Sequence, residues 1–415
     1  MAASSTPDGE LTLSIARDPA FSFNTSVELR PAGVAYPRDV REVIAAVRQA
    51  RDQGLRVAPQ ATGHNVSAYG SLDDALLVDV RHLQDVSLDP GAHRVRVGAG
   101  VKWQRVSPLL SEHGLAGLHG SSPDVGIAGY SLGGGMGWLA RRYGLQANSV
   151  IAIELVLADG RHVRTDARHE PELFWALRGG NGNFGVVTAI EFAVYPVKEL
   201  YAGTMFFPFE RSAEVLHTWA QMLAGLPDEL MTWASLMHMP DLSWVPEHAR
   251  GGSFAVLSGA FLGHAHEGRK LLRPIRDLGP LVDTFAMVPP AALGELAMDP
   301  PEPLPFHLAH RMLGGVPTAA VDAILAAAGL GSGGAPRDGA APPPRRRTEP
   351  RHARRRRPGH SSRRGLPRRP RRDARRRLGA PGTRGARGAR ARRHAMVCGR
   401  LPELHRAARR REPLL

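Results

Sequence analysis

The chain has 415 residues, 43% of them hydrophobic, and a formal net charge of +15, a length that accommodates two or three domains with cores of ordinary size. The charge is uneven: residues 1–330 carry 26 Lys and Arg against 34 Asp and Glu, whereas residues 331–415 carry 28 Arg against five acidic residues, so the basic character belongs to a tail. A single cysteine, Cys398, excludes an intrachain disulfide and a cysteine-built metal centre. No apolar run reaches the ~18 residues of a membrane-spanning helix, and the opening MAASSTPDGELTLS lacks the charged and apolar regions of a secretory signal. The expectation is a cytoplasmic protein with no membrane contact and no metal.

In chain order, residues 37–51 place Val40, Val43, Ile44 and Val47 at helical spacing, with Gly54 where a helix would stop. Residues 55–59, 75–80 and 94–97 read as strands, and 103–113 as a helix ending at Gly114. Residues 151–157 and 162–165 flank the turn Ala158-Asp159-Gly160 and predict a hairpin. A short helix at 172–177 precedes a long β-branched strand at 186–197. From Tyr201 the texture changes, with a helix at 213–226 and a strand at 254–263, which predicts a second domain.

Two elements stand out between these. QATGHN occupies residues 60–65, and GSSPDVGIAGYSLGGGMG occupies 120–137, with six glycines in the twelve residues from Gly126. Glycine lets the backbone reach positive φ and expose bare N–H groups, so such a run lines a large anionic cofactor. A flexible linker would be monotonous, whereas this run holds Val125, Ile127, Tyr130, Leu132 and Met136 at spaced positions. Gly180-Asn181-Gly182-Asn183-Phe184-Gly185 matches a dinucleotide fingerprint but follows a helix and precedes a strand, the reverse of the required context. Gly129-Tyr130-Ser131-Leu132-Gly133 matches a nucleophile elbow, which keeps a serine hydrolase with Ser131 open as an alternative. The phosphate-binding Walker loop is excluded because none of Lys102, Lys198 and Lys270 follows a glycine.

Six ordered blocks, QATGHN, LLVDVR, GAGVKW, GSSPDVGIAGYSLGGGMGWLARRYGL, NSVIAIELVLADG and FWALRGGNGNFGVVTAIEF, resemble the FAD domain of the berberine-bridge-enzyme-like flavin oxidases, members of the vanillyl-alcohol-oxidase class. The resemblance implies an α+β protein. Its parts would be a leader at 1–29, a two-part FAD-binding domain of PCMH type at 30–200, and an incomplete α/β substrate domain with an antiparallel sheet at 201–333. It also implies an FAD-dependent oxidoreductase that moves a hydride from a substrate C–H next to O–H or N–H to flavin N5, with a small-molecule substrate and O2 as electron acceptor. His64 would bond covalently to the flavin. Many relatives add a second bond through a cysteine where this chain has Ser122, and with no cysteine before Cys398 a double attachment is ruled out. Gln60, Ala61, Thr62, Gly63 and Asn65, with Ser122, Val125, Gly126, Gly129, Tyr130, Gly134 and Gly135, would line the cofactor, and Gly185 and Val187 would approach it from the other side. Trp138 reads as core, and Gly182 and Asn183 as turn residues. Arg141 and Arg142 read as a solvated helix face. No catalytic base is assigned: Glu210, Asp241, His307 and His310 are polar residues without a motif.

The tail from 334 to 415 reads as disordered or as the product of a shifted reading frame. Of residues 331–415, 62 of 85 are Arg, Ala, Gly or Pro, and Lys, Ile, Phe, Tyr, Trp, Asn and Gln are absent, so no core forms there. Clustered Arg invites a nucleic-acid-binding arm, yet natural arms mix in Lys and amides, and nucleic acid is not the expected partner. Read one base later from Met396, the codons force Trp, and residues 401–407 can spell Tyr-Leu-Asn-Phe-Thr-Glu, which resembles the family's C-terminal block. A slipped frame leaves an inactive or truncated flavoprotein as a further alternative, and the gene's nucleotide sequence tests it.

Overall fold

The computed structural model describes residues 4–5, 11–12, 15–16, 20–329 except 242, 244, 246 and 248, and 395–399. The tail expectations for residues 331–394 and 400–415 therefore lie outside the described residues, as does part of the leader.

The helix expected at 37–51 is Val40–Asp52. Asp39 accepts from the Glu42 N–H while the Glu42 carboxylate accepts from the Arg38 N–H, which pairs donors that the first turn leaves open. Val43, Ala46, Val47 and Ala50 form its buried face, packed against strands of two different sheets. The first sheet is parallel, in the spatial order Gly33–Ala35, Ala75–Asp79, Arg56–Gln60. Its central strand is buried at every position, and its first four residues, ALLV, are an apolar run without alternation.

The second sheet is antiparallel, in the order His162–Asp166, Val150–Val156, Val186–Ala193, Arg94–Gly98, Val86–Asp89. The hairpin turns at Gly160 with φ +84°. The strand expected over 186–197 is two strands: after Ala193 the chain leaves this sheet, and Tyr195–Pro196 pairs with Leu115–Ala116. Pro196 has no N–H to extend a central ladder. One core joins the helix and this sheet, with Trp103, Val106, Leu110, Ile127, Leu155, Ile190 and Phe192 at its centre.

The second half is built on an antiparallel sheet ordered Leu230–His238, Ser253–Phe261, Leu200–Pro208, Val282–Asp283, with Ala286–Val288 also paired to Leu200–Pro208. Helices Ser212–Met222 and Thr318–Ala328 pack together there over Tyr201, Met205, Phe207, Trp219 and Leu257. A third core, with Leu118, Trp138, Leu200, Ala260 and Leu293, forms the seam between the halves. Ala309–Leu313 pairs antiparallel with Ala395–Gly399, so five residues of the tail form a strand where composition predicts none.

Candidate functional site

Three loops converge at the C-terminal end of the parallel strand Arg56–Gln60. In the first, Gln60 is buried, its Nε2 donating to the Phe21 carbonyl at 2.7 Å while its Oε1 has no partner. Gly63 has φ +75°, and a Cβ there would stand 2.7 Å from Ser22 Cβ, so glycine alone fits. The carbonyls of Thr62 and Gly63 accept from the N–H groups of Phe23 and Asn24 at 3.0 and 3.2 Å, and the Phe23 ring stacks on His64 at 4.2 Å between centroids.

The second loop is the glycine-rich run. Gly126 touches the first loop, since a Cβ there would lie 3.3 Å from Ala61 Cβ. Helix Ile127–Leu132 buries Ile127, Ala128, Ser131 and Leu132, while Gly129 and Gly133 face outward. A Cβ on Gly129 would meet nothing within 4 Å, so this helix presents a strip of bare backbone. The third loop follows helix Pro171–Gly180. The Asn181 N–H donates to the Leu132 carbonyl at 3.2 Å, the Asn181 Oδ1 abuts Gly133, and Gly182 abuts Pro59.

At the centre His64 faces Asp124, with Nε2 and Oδ2 3.3 Å apart. Nε2 is buried, and the Asp124 carboxylate is the polar group that approaches it. The Ser122 hydroxyl donates to the other Asp124 oxygen at 2.8 Å. Burial opposes the charge on Asp124, but His64, Ser122 and the Lys102 ammonium outweigh it and hold the carboxyl below the usual carboxylate range.

The structure brings Gln60, Ala61, Thr62, Gly63, His64, Ser122, Val125, Gly126 and Gly129 to one place, with Asn65 exposed at the loop's end. Val125 is anchored by its carbonyl, which accepts from Trp103 N–H. Gly134 and Gly135, at φ +107° and +68°, give their carbonyls to Ala147 and Gln146 N–H. Tyr130 turns inward: its ring sits edge-on to Trp103, its hydroxyl donates to the Leu118 carbonyl at 2.9 Å, and burial pushes its phenol up. Only its backbone is free to face a ligand. Val187 is a core side chain, and Gly185 packs against the Val156 carbonyl; of the third segment, Asn181 and Gly182 are the residues that reach the other loops.

Ser131 is buried and donates to the Ile127 carbonyl at 2.8 Å, an i−4 helix bond without a base beside it. This removes the nucleophile that the elbow pattern suggested. Arg141 is no solvated side chain: it donates to the Leu226 carbonyl at 2.9 Å and approaches Asp228, tying the two halves, while Arg142 reaches Glu229. Trp138 stacks on Trp233 at 3.9 Å in the seam. Glu210, Asp241, His307 and His310 are all exposed. Asp124 and Asn181 were not singled out by sequence. A carboxylate two residues after Ser122 and an amide inside a glycine turn are the signals that could have found them.

A cavity of 460 Å³ lined by Arg142, Tyr143, Lys198, Glu229 and His264 lies elsewhere and shares no residue with the three loops. Among the described residues no group of three His, Cys, Asp or Glu is placed to hold a metal, and no helix is long and apolar enough to cross a membrane. The open glycine strip, with the buried Gln60 Oε1 left without a partner in the adjoining loop, fits a large polar cofactor laid against bare backbone.

A family model for an FAD binding domain matches residues 31–166. Among curated relatives, the xylooligosaccharide oxidase of Thermothelomyces thermophilus is 31% identical over 220 residues, covering 51% of this chain and 44% of that one. The (R)-6-hydroxynicotine oxidase of Paenarthrobacter nicotinovorans is 33% identical over 260 residues, covering 62% and 55%. The chain thus spans about half the length of the curated relatives it matches. Among solved structures, the 6-hydroxy-D-nicotine oxidase of Arthrobacter nicotinovorans superposes with a TM-score of 0.61 at 25% identity, covering 71% of this chain and 64% of that one. BBE-like 1 of Physcomitrella patens shares the fold, with a TM-score of 0.63 at 22% identity over 76% and 72% of the two chains.

Proposed function

For a chain whose residues 31–166 match an FAD-binding domain and whose relatives include oligosaccharide and hydroxynicotine oxidases and FAD-linked oxidoreductases, we propose an FAD-dependent oxidase of a small molecule carrying a C–H beside O–H or N–H. The observation that carries this reading is the strip of bare backbone at Gly129 and Gly133, joined through Gly126 to the loop that holds His64. When bound, FAD supplies a two-electron acceptor for a substrate hydride, with O2 as the final acceptor. Residues 60–65 and 122–126 hold the cofactor through backbone N–H groups, and His64 is its covalent attachment point. Asn181 and Gly182 limit the strip on the side of the second sheet. The substrate class is drawn from alcohols, sugars and amines, in line with the oligosaccharide and hydroxynicotine oxidases among the relatives. The test is anaerobic titration of the purified flavoprotein with a panel of these compounds. A substrate bleaches the flavin absorbance and air restores it; a flavin that no compound in the panel bleaches contradicts the oxidase reading.

A further inference from the structure

We propose that Asp124 is the positioning residue of His64, holding the hydrogen on Nε2 so that Nδ1 carries the lone pair that bonds the flavin. This rests on the reading of His64 as the attachment point. Nε2 lies 3.3 Å from the Asp124 carboxylate, with the two side chains 22% and 16% exposed. A neutral imidazole has one N–H and one lone pair, and a carboxylate beside one nitrogen selects the tautomer that puts the hydrogen there. The carboxylate is itself fixed: Ser122 donates to its second oxygen at 2.8 Å, and its charge is favoured by His64 and Lys102 against burial. The stacked Phe23 ring restricts rotation of the imidazole. His64 therefore has one face covered by Phe23 and one nitrogen committed to Asp124, which leaves the other nitrogen as nucleophile.

In the attachment step the Nδ1–C bond to the flavin 8α-methyl carbon forms, and one C–H bond of that methyl and the imidazole N–H bond break. The flavin takes up the electron pair and both protons and is left reduced, and O2 reoxidises it with release of hydrogen peroxide. Asp124 stabilises the ring as it becomes cationic during bond formation, as the carboxylate of a catalytic triad does for its histidine, and the Nε2 proton is then released to be taken up with the electron pair by the flavin.

The full-length chain, produced without FAD, is mixed with FAD, and the fraction of flavin that stays with acid-precipitated polypeptide is followed in time. Per FAD bound, Asp124→Asn is expected to attach the flavin at least about tenfold more slowly than the wild-type chain, and Asp124→Glu to recover the rate. Attachment by Asp124→Asn at the wild-type rate overturns the proposal while leaving His64 as the attachment point. Failure of the wild-type chain to attach bound FAD overturns both. Nitrogen NMR of the FAD-free chain with labelled histidine, assigned by loss of a signal in His64→Ala, gives a test that needs no Asp124 variant. The hydrogen on Nε2 is the expected result, and the hydrogen on Nδ1 overturns the assignment.

Discussion

The Asn24 side chain and the Phe306 backbone bond each other in both directions: Nδ2 donates to the Phe306 carbonyl at 3.0 Å, and Oδ1 accepts from the Phe306 N–H at 3.2 Å. Asn24 is 2% exposed, and its own N–H donates to the Gly63 carbonyl in the first of the three loops. The second half of the chain is thereby tied to the loop that carries His64. Asn24→Ala leaves the Phe306 groups without partners, and about 1–3 kcal/mol of stability should be lost. Denaturant unfolding checks this, and unchanged stability would mean that water replaces the amide.

Two glycines of the run should respond in opposite ways to alanine. Gly135 has φ +68°, and a Cβ there would stand 2.6 Å from the Tyr130 ring, so Gly135→Ala should cost at least about 1–2 kcal/mol. Gly129 is helical with open space around it, and Gly129→Ala should stabilise the FAD-free chain by about 0.5–1 kcal/mol. The same methyl stands on the strip assigned to the cofactor, so FAD affinity should fall. Thermal melts with and without FAD separate the two effects. A Gly129→Ala chain that binds FAD normally would move the cofactor off this strip.

Acid should weaken the second sheet through Glu154. The Arg96 guanidinium grips its carboxylate at 2.9 and 2.6 Å, and this pairing outweighs burial to hold Glu154 below the ordinary carboxylate range. A carboxyl lowered by folding stabilises above its unfolded pKa of about 4.3, and the contribution is lost as pH falls through the folded value. Glu154→Gln should therefore cost about 1–2 kcal/mol at neutral pH and progressively less below pH ~4. Melting curves at a series of pH values check this, and a difference independent of pH would contradict it.

Ser131→Ala should leave flavin binding unchanged and shift stability by about 1 kcal/mol or less, because its hydroxyl satisfies only an i−4 carbonyl. Loss of an esterase activity in this variant would restore the hydrolase reading.

Much of the first half was legible because its elements are local. Gly54, Gly114 and Gly160 mark element ends in sequence and in structure alike. The glycine-rich loops were legible as tight, unusual backbone, as Gly63, Gly134 and Gly135 at positive φ show. Asp124 was not, since an Asp after Pro123 in a polar turn looks solvated until the fold brings His64 to it across 59 intervening residues. Leu200–Pro208 was read only as a boundary, yet it is an inner strand of the antiparallel sheet on which the second half is built. Its buried run reads neither as alternation nor as helix. Arg141 and Tyr130 show the same limit, because the direction of a long side chain depends on a partner distant in sequence.

The most direct measurement is the visible spectrum of the purified chain and of its His64→Ala variant, before and after acid precipitation. Flavin colour that stays in the wild-type pellet but passes to the supernatant in His64→Ala is the predicted result. Wild-type flavin that passes entirely to the supernatant, or a His64→Ala pellet that keeps its colour, would contradict the assignment of His64 as the residue that carries the cofactor.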